Sequence, residues 1–557
     1  MKAALPTLLK VGILAFTESM MLAFIFIYHA EWEGGRIVRF LLMDDAMISL
    51  SYARSLVEGC GLIWHCSAEK VEGITNLGWT LYMAFWLWIG IPPEYAALPI
   101  LLTGLLTAAL HLLATYTIGK KLHDERTGLW AMGTLALLPP VWVWHSAGLE
   151  TGALAVLFTY LLRESILSFP STLRASVYVM LGTLLRMDFF LWGSGLWLTA
   201  SFVQKQSLRE TVLPLLTGLA VAAGQTLFRK AYYGDWVPHT YLLKVADIPF
   251  QYRWINGASC TGFHILYNLP LWGLGLYGFW RLARSHHADK WMLLAIALLL
   301  SGGYNLHAGG DMAEGALVSN RFMLPAMTTL AIGVGYALSR APLWVGGLAV
   351  ALIAHGIPLH PEGFAGRWRA LLGPIKATLT QGWDERYRYF LFGKKPLPID
   401  RYVPRGAKVV VGFAGTYAYF FRDYRWVDFF GKNDRSALTQ GSPCLCGALP
   451  YEIYFPGHTR WGWHLVKDAA AIVEVVAFDD TMACKGQKPP LSCTEGLGRI
   501  VPVPHSCCTP GHPYPFPDDA VRRFVCENFR PTTWVGFWVR DTQRQSYISV
   551  LSRSLSP

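Results

Sequence analysis

The sequence predicts a mainly α, polytopic membrane protein in which a bundle of about eleven transmembrane helices is followed by a C-terminal soluble α/β domain. Three observations lead there. Hydrophobic residues make up 53% of the 557-residue chain and charged residues only 15%, a balance too apolar for an ordinary soluble protein of this size. Apolar runs of a length suited to crossing about 30 Å of hydrocarbon recur from residue 11 to residue 358. Beyond about residue 360 these runs stop, and Pro, Gly, Arg and aromatics mix with short β-like stretches, Ala407 to Phe413 and Ala470 to Phe478. The expected division is therefore a transmembrane domain, residues 1–359, and a soluble domain, residues 360–557.

In chain order the candidate spans cover residues 11–28, 95–118, 128–146, 150–162, 174–188, 189–203, 211–228, 262–280, 291–306, 322–339 and 343–358. The first contains Glu18 and has no small-residue cleavage site, so it reads as a retained helix rather than a signal peptide. Leu77 to Ile91, bounded by Asn76 and Pro92-Pro93, is better sized for an interfacial or re-entrant helix than for a span. With that segment not crossing and Lys2 and Lys10 on the cytoplasmic side, alternation puts five basic loops on the same side. They carry Lys120, Lys121 and Arg126; Arg163 and Arg174; Lys205 and Arg209; Arg281, Arg284 and Lys290; and Arg340. This is the positive-inside pattern. The net charge of +11 is thus largely an orientation signal, and no basic patch of the kind that follows a nucleic-acid backbone stands out.

The same alternation gathers polar, Gly-rich and acidic loops on the opposite, exported side of the cell's inner (plasma) membrane. They are the first loop with Asp44, Asp45, Glu69 and Glu72, the turn Ala147 to Glu150, the pair Arg186 and Asp188, the segment Arg229 to Lys244, and the segment His307 to Arg321. An odd number of crossings brings the soluble domain to that side too. Seven of the ten cysteines (Cys444, Cys446, Cys484, Cys493, Cys507, Cys508 and Cys526) lie in that domain, and Cys60 and Cys66 lie in the first loop. Cysteines collected on one exported face predict disulfides. A zinc site near His505 and His512 is the competing reading, but the spacings do not match the usual Cys-x-x-Cys pairs. Lys408 to Gly415 lacks the full glycine pattern of a dinucleotide loop and reads as a strand and turn.

The adjacent acids Asp44 and Asp45, at the edge of a hydrophobic segment, are the leading candidates for chemistry. A charge there must stay hydrated, find a partner or serve a function; the plain alternative is that one of them caps a helix starting near Ala46. As a pair, one carboxylate suits proton abstraction from a hydroxyl, while its neighbour orients substrate or ligates a divalent cation. No cofactor is required by the sequence.

The residues from Asp44 to Asn76 resemble the first exported loop of bacterial GT-C glycosyltransferases of the mycobacterial terminal β-(1→2)-arabinofuranosyltransferase group. The matches are Asp44, Asp45, Ala46, Ile48, Ser49, Tyr52, Ala53, Gly59, Gly61, Leu62, Trp64, Val71, Glu72, Gly73, Thr75 and Asn76. Further matches follow in the group's order: Gly148 to Thr151, Arg186 and Asp188, Tyr232 to Asp235 with Pro238, Thr240 and Lys244, Gly309 to Asp311, Arg321-Phe322 before Leu324-Pro325, Val427-Asp428 with Gly431 and Asp434, and Pro456 to His458. The chain departs from the group at Met187 and Phe189, at Ile74, and after Asp311.

The resemblance implies a GT-C fold and transfer of a sugar, most simply arabinofuranose, from a polyprenyl-phosphate donor to a hydroxyl of a cell-envelope glycan. Asp44 and Asp45 would be catalytic. Arg186, Arg229, Lys244 and Arg321 would stabilise the departing lipid phosphate, with Asp188 and Glu150 beside them. Glu72, Thr75 and Asn76 would bind sugar hydroxyls, His307 and Asp311 would orient phosphate or sugar, Trp64 offers an aromatic face, and Trp79 suits an interfacial belt. The alternatives are a related enzyme that uses another lipid-linked sugar or modifies a surface protein such as a pilin, and, outside enzymes, a lipid or polysaccharide transporter. The partners expected are the lipid-linked donor, the acceptor and membrane lipid.

Overall fold

The computed structural model describes residues 4–33, 35–167, 171–285, 288–310, 321–355, 399–440, 442–443, 460–466, 468–473, 529–531 and 537–540. The seven C-terminal cysteines, His505, His512 and Asp311 lie outside the described residues.

Helix α1 (Ala4–Phe24) leads into a hairpin, β1 (Ala30–Glu33) and β2 (Arg36–Phe40), and then into α2 (Asp44–Val57). The bundle continues through α3 (Leu77–Trp88), α4 (Ala97–Leu122), α5 (Glu125–Ala136), α6 (Pro139–Ser146), α7 (Thr151–Ile166), α8 (Thr172–Leu185), α9 (Phe189–Gln204) and α10 (Leu208–Tyr233). A one-turn α11 (His239–Tyr241) runs into a π-helical turn, Leu242–Ala246, before α12 (Phe250–Tyr267), α13 (Leu269–Ala283), α14 (Ala288–Ala308), α15 (Leu324–Leu338) and α16 (Leu343–His355).

Over their described residues, the eleven expected spans each fall on one helix or on two consecutive ones. Two expected spans are broken. Residues 128–146 become α5 and α6 because Pro139 and Pro140 open a new helix, and residues 262–280 divide at Asn268 between α12 and α13. Among the described residues, five helical stretches are long and apolar enough to cross a membrane: Leu5–His29, Ala97–Leu122, Leu208–Tyr233, Asp289–Ala308 and Arg321–Leu338. Helix α3 has only 12 residues, a length of roughly 18 Å, so it does not cross by itself, in line with the interfacial or re-entrant expectation.

Basic residues expected in the cytoplasmic loops hold carbonyls at the end of α15 and beyond it. Arg281 donates to the Ala337 carbonyl in the last turn of α15 at 2.9 Å, so a cation meets the negative end of that helix, and Arg126 donates to the Ala341 carbonyl in the link to α16. Within the bundle a chain of side chains, Thr107, His145, His111 and Thr328, joins α4, α6 and α15 through contacts of 2.9, 3.0 and 2.8 Å. The chain satisfies polar groups that hydrocarbon would leave stranded.

After the bundle, β3 (Lys408–Val411), β4 (Arg425–Asp428), β7 (Ala471–Val473), β8 (Phe529–Pro531) and β9 (Phe537–Arg540) form a sheet in the order β4-β3-β7-β9-β8. Strand β3 is parallel to β4 and β7, while β9 runs antiparallel to β7 and β8. A separate pair, β5 (Ser442–Pro443) and β6 (Arg460–Trp461), is antiparallel. The two β-like stretches read from the sequence are therefore neighbouring strands. Val409, Val411 and Trp426 from the sheet, with Tyr417 from the short helix between β3 and β4, share one buried cluster with Ile48, Tyr52, Leu62 and Trp64 from the first loop, so sheet and bundle are joined through apolar burial.

Helices α13 and α15 approach through Gly275, Gly278 and Gly333, where a Cβ on Gly278 would collide with the Gly333 carbonyl. Close backbone approach of this kind holds helices where lipid offers no hydrophobic drive. Gly278→Leu is expected to cost about 1–3 kcal/mol by overpacking; thermal unfolding in detergent measures it, and an unchanged midpoint contradicts this packing.

Candidate active site

Where the bundle meets the sheet, a cavity is lined by Asp45, Ser49, Thr75, Asn76, Glu150, Arg186, Asp188, Lys244, Tyr304, Arg321 and Lys432, with apolar neighbours including Ile48, Ile74 and Phe322. Each of the five polar loops expected to converge supplies at least one of its walls. Asp45 stands in the first turn of α2, Glu150 just before α7, Arg186 and Asp188 between α8 and α9, Lys244 in the π-helical turn, and Arg321 in a 3₁₀ turn that opens α15. Lys432 arrives from the loop after β4.

The two adjacent acids part company. Successive residues of an α-helix project about 100° apart, and α2 includes both Asp44 and Asp45. Asp45 faces the cavity. Its Oδ1 accepts from Lys432 Nζ at 3.2 Å and its Oδ2 from Arg321 Nη2 at 3.3 Å. Asp44 faces the sheet: its Oδ1 accepts from the Gly415 amide at 3.0 Å and the Thr416 amide at 3.3 Å. Those amides begin the short helix Thr416–Phe420, so Asp44 covers donors left open at a helix start. The expectation that one acid caps its own helix is corrected, because the N-cap of α2 is Met43, which makes no side-chain cap.

Burial alone would raise the Asp45 pKa, but Lys432, Lys244 and Arg321 outweigh it and hold the carboxyl well below the usual carboxylate range. Burial would lower the Lys432 pKa, yet Asp45, Asp428 and Asp44 hold it above the ordinary ammonium value. Both groups are therefore ionised at neutral pH. The side chain of Asp45 keeps 34% of its surface accessible, so an incoming hydroxyl can reach it.

A second network fixes the opposite wall. Ser49 Oγ donates to Asn76 Oδ1 at 3.0 Å, and Asn76 Nδ2 donates to Glu150 Oε2 at 2.7 Å. Glu150 Oε1 accepts from Arg186 Nη1 at 2.8 Å, and Arg186 Nε donates to both Asp188 oxygens at 3.0 Å. Tyr304 donates its hydroxyl to Asp188. Arg186 is thus held between two carboxylates, whereas Arg321, Lys244 and Lys432 cluster around Asp45.

Other expected site residues lie elsewhere. Glu72 and Arg229 form a buried ion pair, with Arg229 Nη2 3.3 Å from Glu72 Oε1, and neither lines the cavity. Burial pushes the Glu72 carboxyl up against the pull of Arg229. The pair braces the loop, with the His239 amide donating to the Glu72 carbonyl at 3.0 Å. His307 is exposed near the end of α14 and also stands outside the cavity lining. Trp64 is fully buried and donates Nε1 to the Ala414 carbonyl at 2.9 Å, so its face is unavailable to a sugar. Trp79 is buried and donates to the Gly148 carbonyl at 2.9 Å, bracing the turn that carries Glu150. Lys432 is the residue that sequence reading passed over, although it sits between Gly431 and Asp434 of a noted motif.

The acidic pair does not fit a divalent cation. Both oxygens of Asp45 already face cations, and Asp44 gives Oδ1 to backbone amides while its charge also faces Lys432. Among the described residues, Glu58, Cys60 and Cys66 also lie within ligand distance of one another. The two cysteines form the expected kind of disulfide, with Cα atoms 5.3 Å apart, so they offer no thiolates.

Removing the Asp44 acceptor leaves two amides without their charged partner, at a cost of about 1–3 kcal/mol. Asp44→Ala is expected to lower the unfolding midpoint and speed proteolysis of the sheet, and Asp44→Asn, which retains an acceptor oxygen, to do so less. Equal stability of both variants with the parent contradicts the assignment.

No protein-family model matches the chain. Over 222 residues it is 31% identical to the terminal β-(1→2)-arabinofuranosyltransferase of Mycobacterium tuberculosis (strain ATCC 25618 / H37Rv). That match covers 37% of this chain and spans about a third, 35%, of the curated relative's length. The crystal structure of ArnT from Cupriavidus metallidurans bound to undecaprenyl phosphate superposes with a TM-score of 0.51 at 11% identity, covering 77% of this chain and 88% of that one. With its helical bundle, its C-terminal sheet and a polar cavity between them, the chain has the GT-C fold.

Proposed function

We propose that the protein is an integral-membrane glycosyltransferase that moves a sugar, arabinofuranose, from a polyprenyl-phosphate carrier to a hydroxyl of a cell-envelope glycan. In this reading the cavity opens on the exported side of the inner membrane, residues 1–359 form the catalytic domain, and residues 360–557 bind or position the acceptor. The observation that carries it is an accessible carboxylate, Asp45, set in a cavity where, among the described residues, the cations Arg186, Lys244, Arg321 and Lys432 stand against the carboxylates Asp45, Glu150 and Asp188. Cations gathered in this way suit a phosphodiester.

The acceptor oxygen attacks the anomeric carbon, the bond from that carbon to the phosphate oxygen breaks, and Asp45 takes the hydroxyl proton. Arg321 and Lys244 stabilise the negative charge that grows on the lipid phosphate. The same cations depress the Asp45 pKa and weaken it as a base. Entry of the donor's phosphate offsets their field and restores basicity when the acceptor must be deprotonated. Thr75, Asn76 and Ser49 line the cavity where sugar hydroxyls need partners. The sequence match to an arabinofuranosyltransferase supports the sugar, and undecaprenyl phosphate in the ArnT structure supports the carrier.

Transfer by purified full-length protein, from polyprenyl-phosphoryl-arabinofuranose to arabinan and protein acceptors, tests the proposal. Asp45→Asn is expected to reduce turnover by about 10²–10⁴-fold, the usual contribution of a positioned base, while Asp44→Asn retains most of it. Activity with another lipid-linked sugar alone removes arabinose and keeps the mechanism, transfer to a pilin-like protein alone replaces the glycan, and no transfer from any donor favours a transporter.

A further inference from the structure

Lys432 is separated from Asp45 by 387 positions, yet the local fold delivers it with little freedom. The turn that carries it starts at Asp428, whose Oδ1 accepts from the Phe430 amide at 3.0 Å. The other oxygen of Asp428 accepts from the Asn433 amide and side-chain nitrogen at 3.0 and 2.9 Å. Gly431 supplies the left-handed backbone that the turn needs, at φ 73°. Asn433 Oδ1 lies 3.0 Å from the Tyr52 hydroxyl of α2, and that hydroxyl accepts from the Gly73 amide at 2.7 Å. A Cβ on Gly73 would collide with Asn433. The loop therefore seats directly on the first loop of the bundle, and Lys432 projects from it into the cavity.

From this geometry we propose that Lys432 is a positioning residue. Reaching from the C-terminal sheet, it grips Asp45 opposite Arg321 and completes the site only when sheet and bundle are docked. The inference rests on the reading of Asp45 as the base that receives the acceptor proton. Arg321 and Lys432 engage different oxygens of one carboxylate, at 3.3 and 3.2 Å. This fixes the plane of the carboxylate as well as its charge, whereas a single partner would leave it free to rotate. Among the described residues, the groups that set the charge of Asp45 are Arg321 before α15, Lys244 after α11 and Lys432 from the sheet, while Asp428 and Asp44 in turn face Lys432.

Docking is built to hold this register. Besides the Asp44 contacts, Arg54 Nη1 donates to the Tyr419 carbonyl at 2.6 Å, and Arg422 Nη2 donates to Glu58 Oε2 at 2.7 Å and to Ser55 Oγ at 2.8 Å. A sheet that drifted from α2 would take Lys432 with it and leave Asp45 facing Arg321 and Lys244.

The test reads the protonation of Asp45 directly in the full-length protein. Dicyclohexylcarbodiimide modifies protonated carboxyls, and peptide mass spectrometry quantifies its addition at Asp45 as a function of pH. Removing an adjacent cation raises a carboxyl pKa, so Lys432→Met is expected to move the labelling midpoint to higher pH, while Lys432→Arg stays near the parent. In the transfer assay Lys432→Met is expected to lower kcat at least tenfold with little change in donor KM and to shift the acid limb of kcat/KM upward, and Lys432→Arg to recover most of the rate. Superimposable labelling curves for parent and Lys432→Met overturn the inference. So does a Lys432→Met protein whose only change is a lower unfolding midpoint, because docking alone then accounts for the residue. Failure of the underlying reading looks different: Asp45→Asn retains turnover, whatever Lys432→Met does to labelling.

Discussion

Asp45 needs cations from two separate parts of the chain, and this constraint organises the structure. A carboxylate between a helical bundle and a sheet is costly to desolvate unless it is paired with good geometry. Arg321 brings one partner from the start of α15, and Lys432 brings the other from the turn after β4. Both partners are in place together only while the helices and the sheet keep their relative positions, because Lys432 comes from the sheet side. The packing that fixes those positions therefore belongs to the site as much as the charged groups do.

The first loop does most of that work. Tyr52, Trp64, Leu62 and Ile48 bury their side chains with valines and aromatics of the sheet, and the Cys60–Cys66 disulfide closes the segment that carries Leu62 and Trp64. Asp44 pins the start of the Thr416–Phe420 helix, and Arg54 and Arg422 cross the junction in opposite directions. Farther back, Trp79 supports the turn before Glu150, and the Glu72–Arg229 pair ties the loop to α10. Residues that resemble substrate-binding groups when read in line are, in three dimensions, braces for the few that line the cavity.

Run length and composition made the bundle legible, because a helix in hydrocarbon must satisfy its own backbone and announces itself as an apolar stretch. Convergence of the loops also followed from charge alternation, and Glu150, Arg186, Lys244 and Arg321 do reach one cavity. What the linear sequence hid is direction. Asp44 and Asp45 look equivalent as a dipeptide and differ only because a helix turns them apart. Arg229 looks like Arg186 until Glu72, 157 positions away, closes on it. Lys432 stands inside the noted stretch from Val427 to Asp434, but its meaning comes from the fold of the sheet onto α2. The breaks at Pro139-Pro140 and Asn268 were readable in principle, but hydrophobicity ran through both and masked them.

Cations around Asp45 receive the lipid-linked phosphate in this mechanism, and cryo-electron microscopy of the full-length protein with bound undecaprenyl phosphate reads that contact. Phosphate density is expected within hydrogen-bond distance of Arg321 and Lys244, with Asp45 beside it and open to an acceptor. Phosphate density at the far end of the bundle near Arg281, or with no contact to the cations around Asp45, contradicts the mechanism.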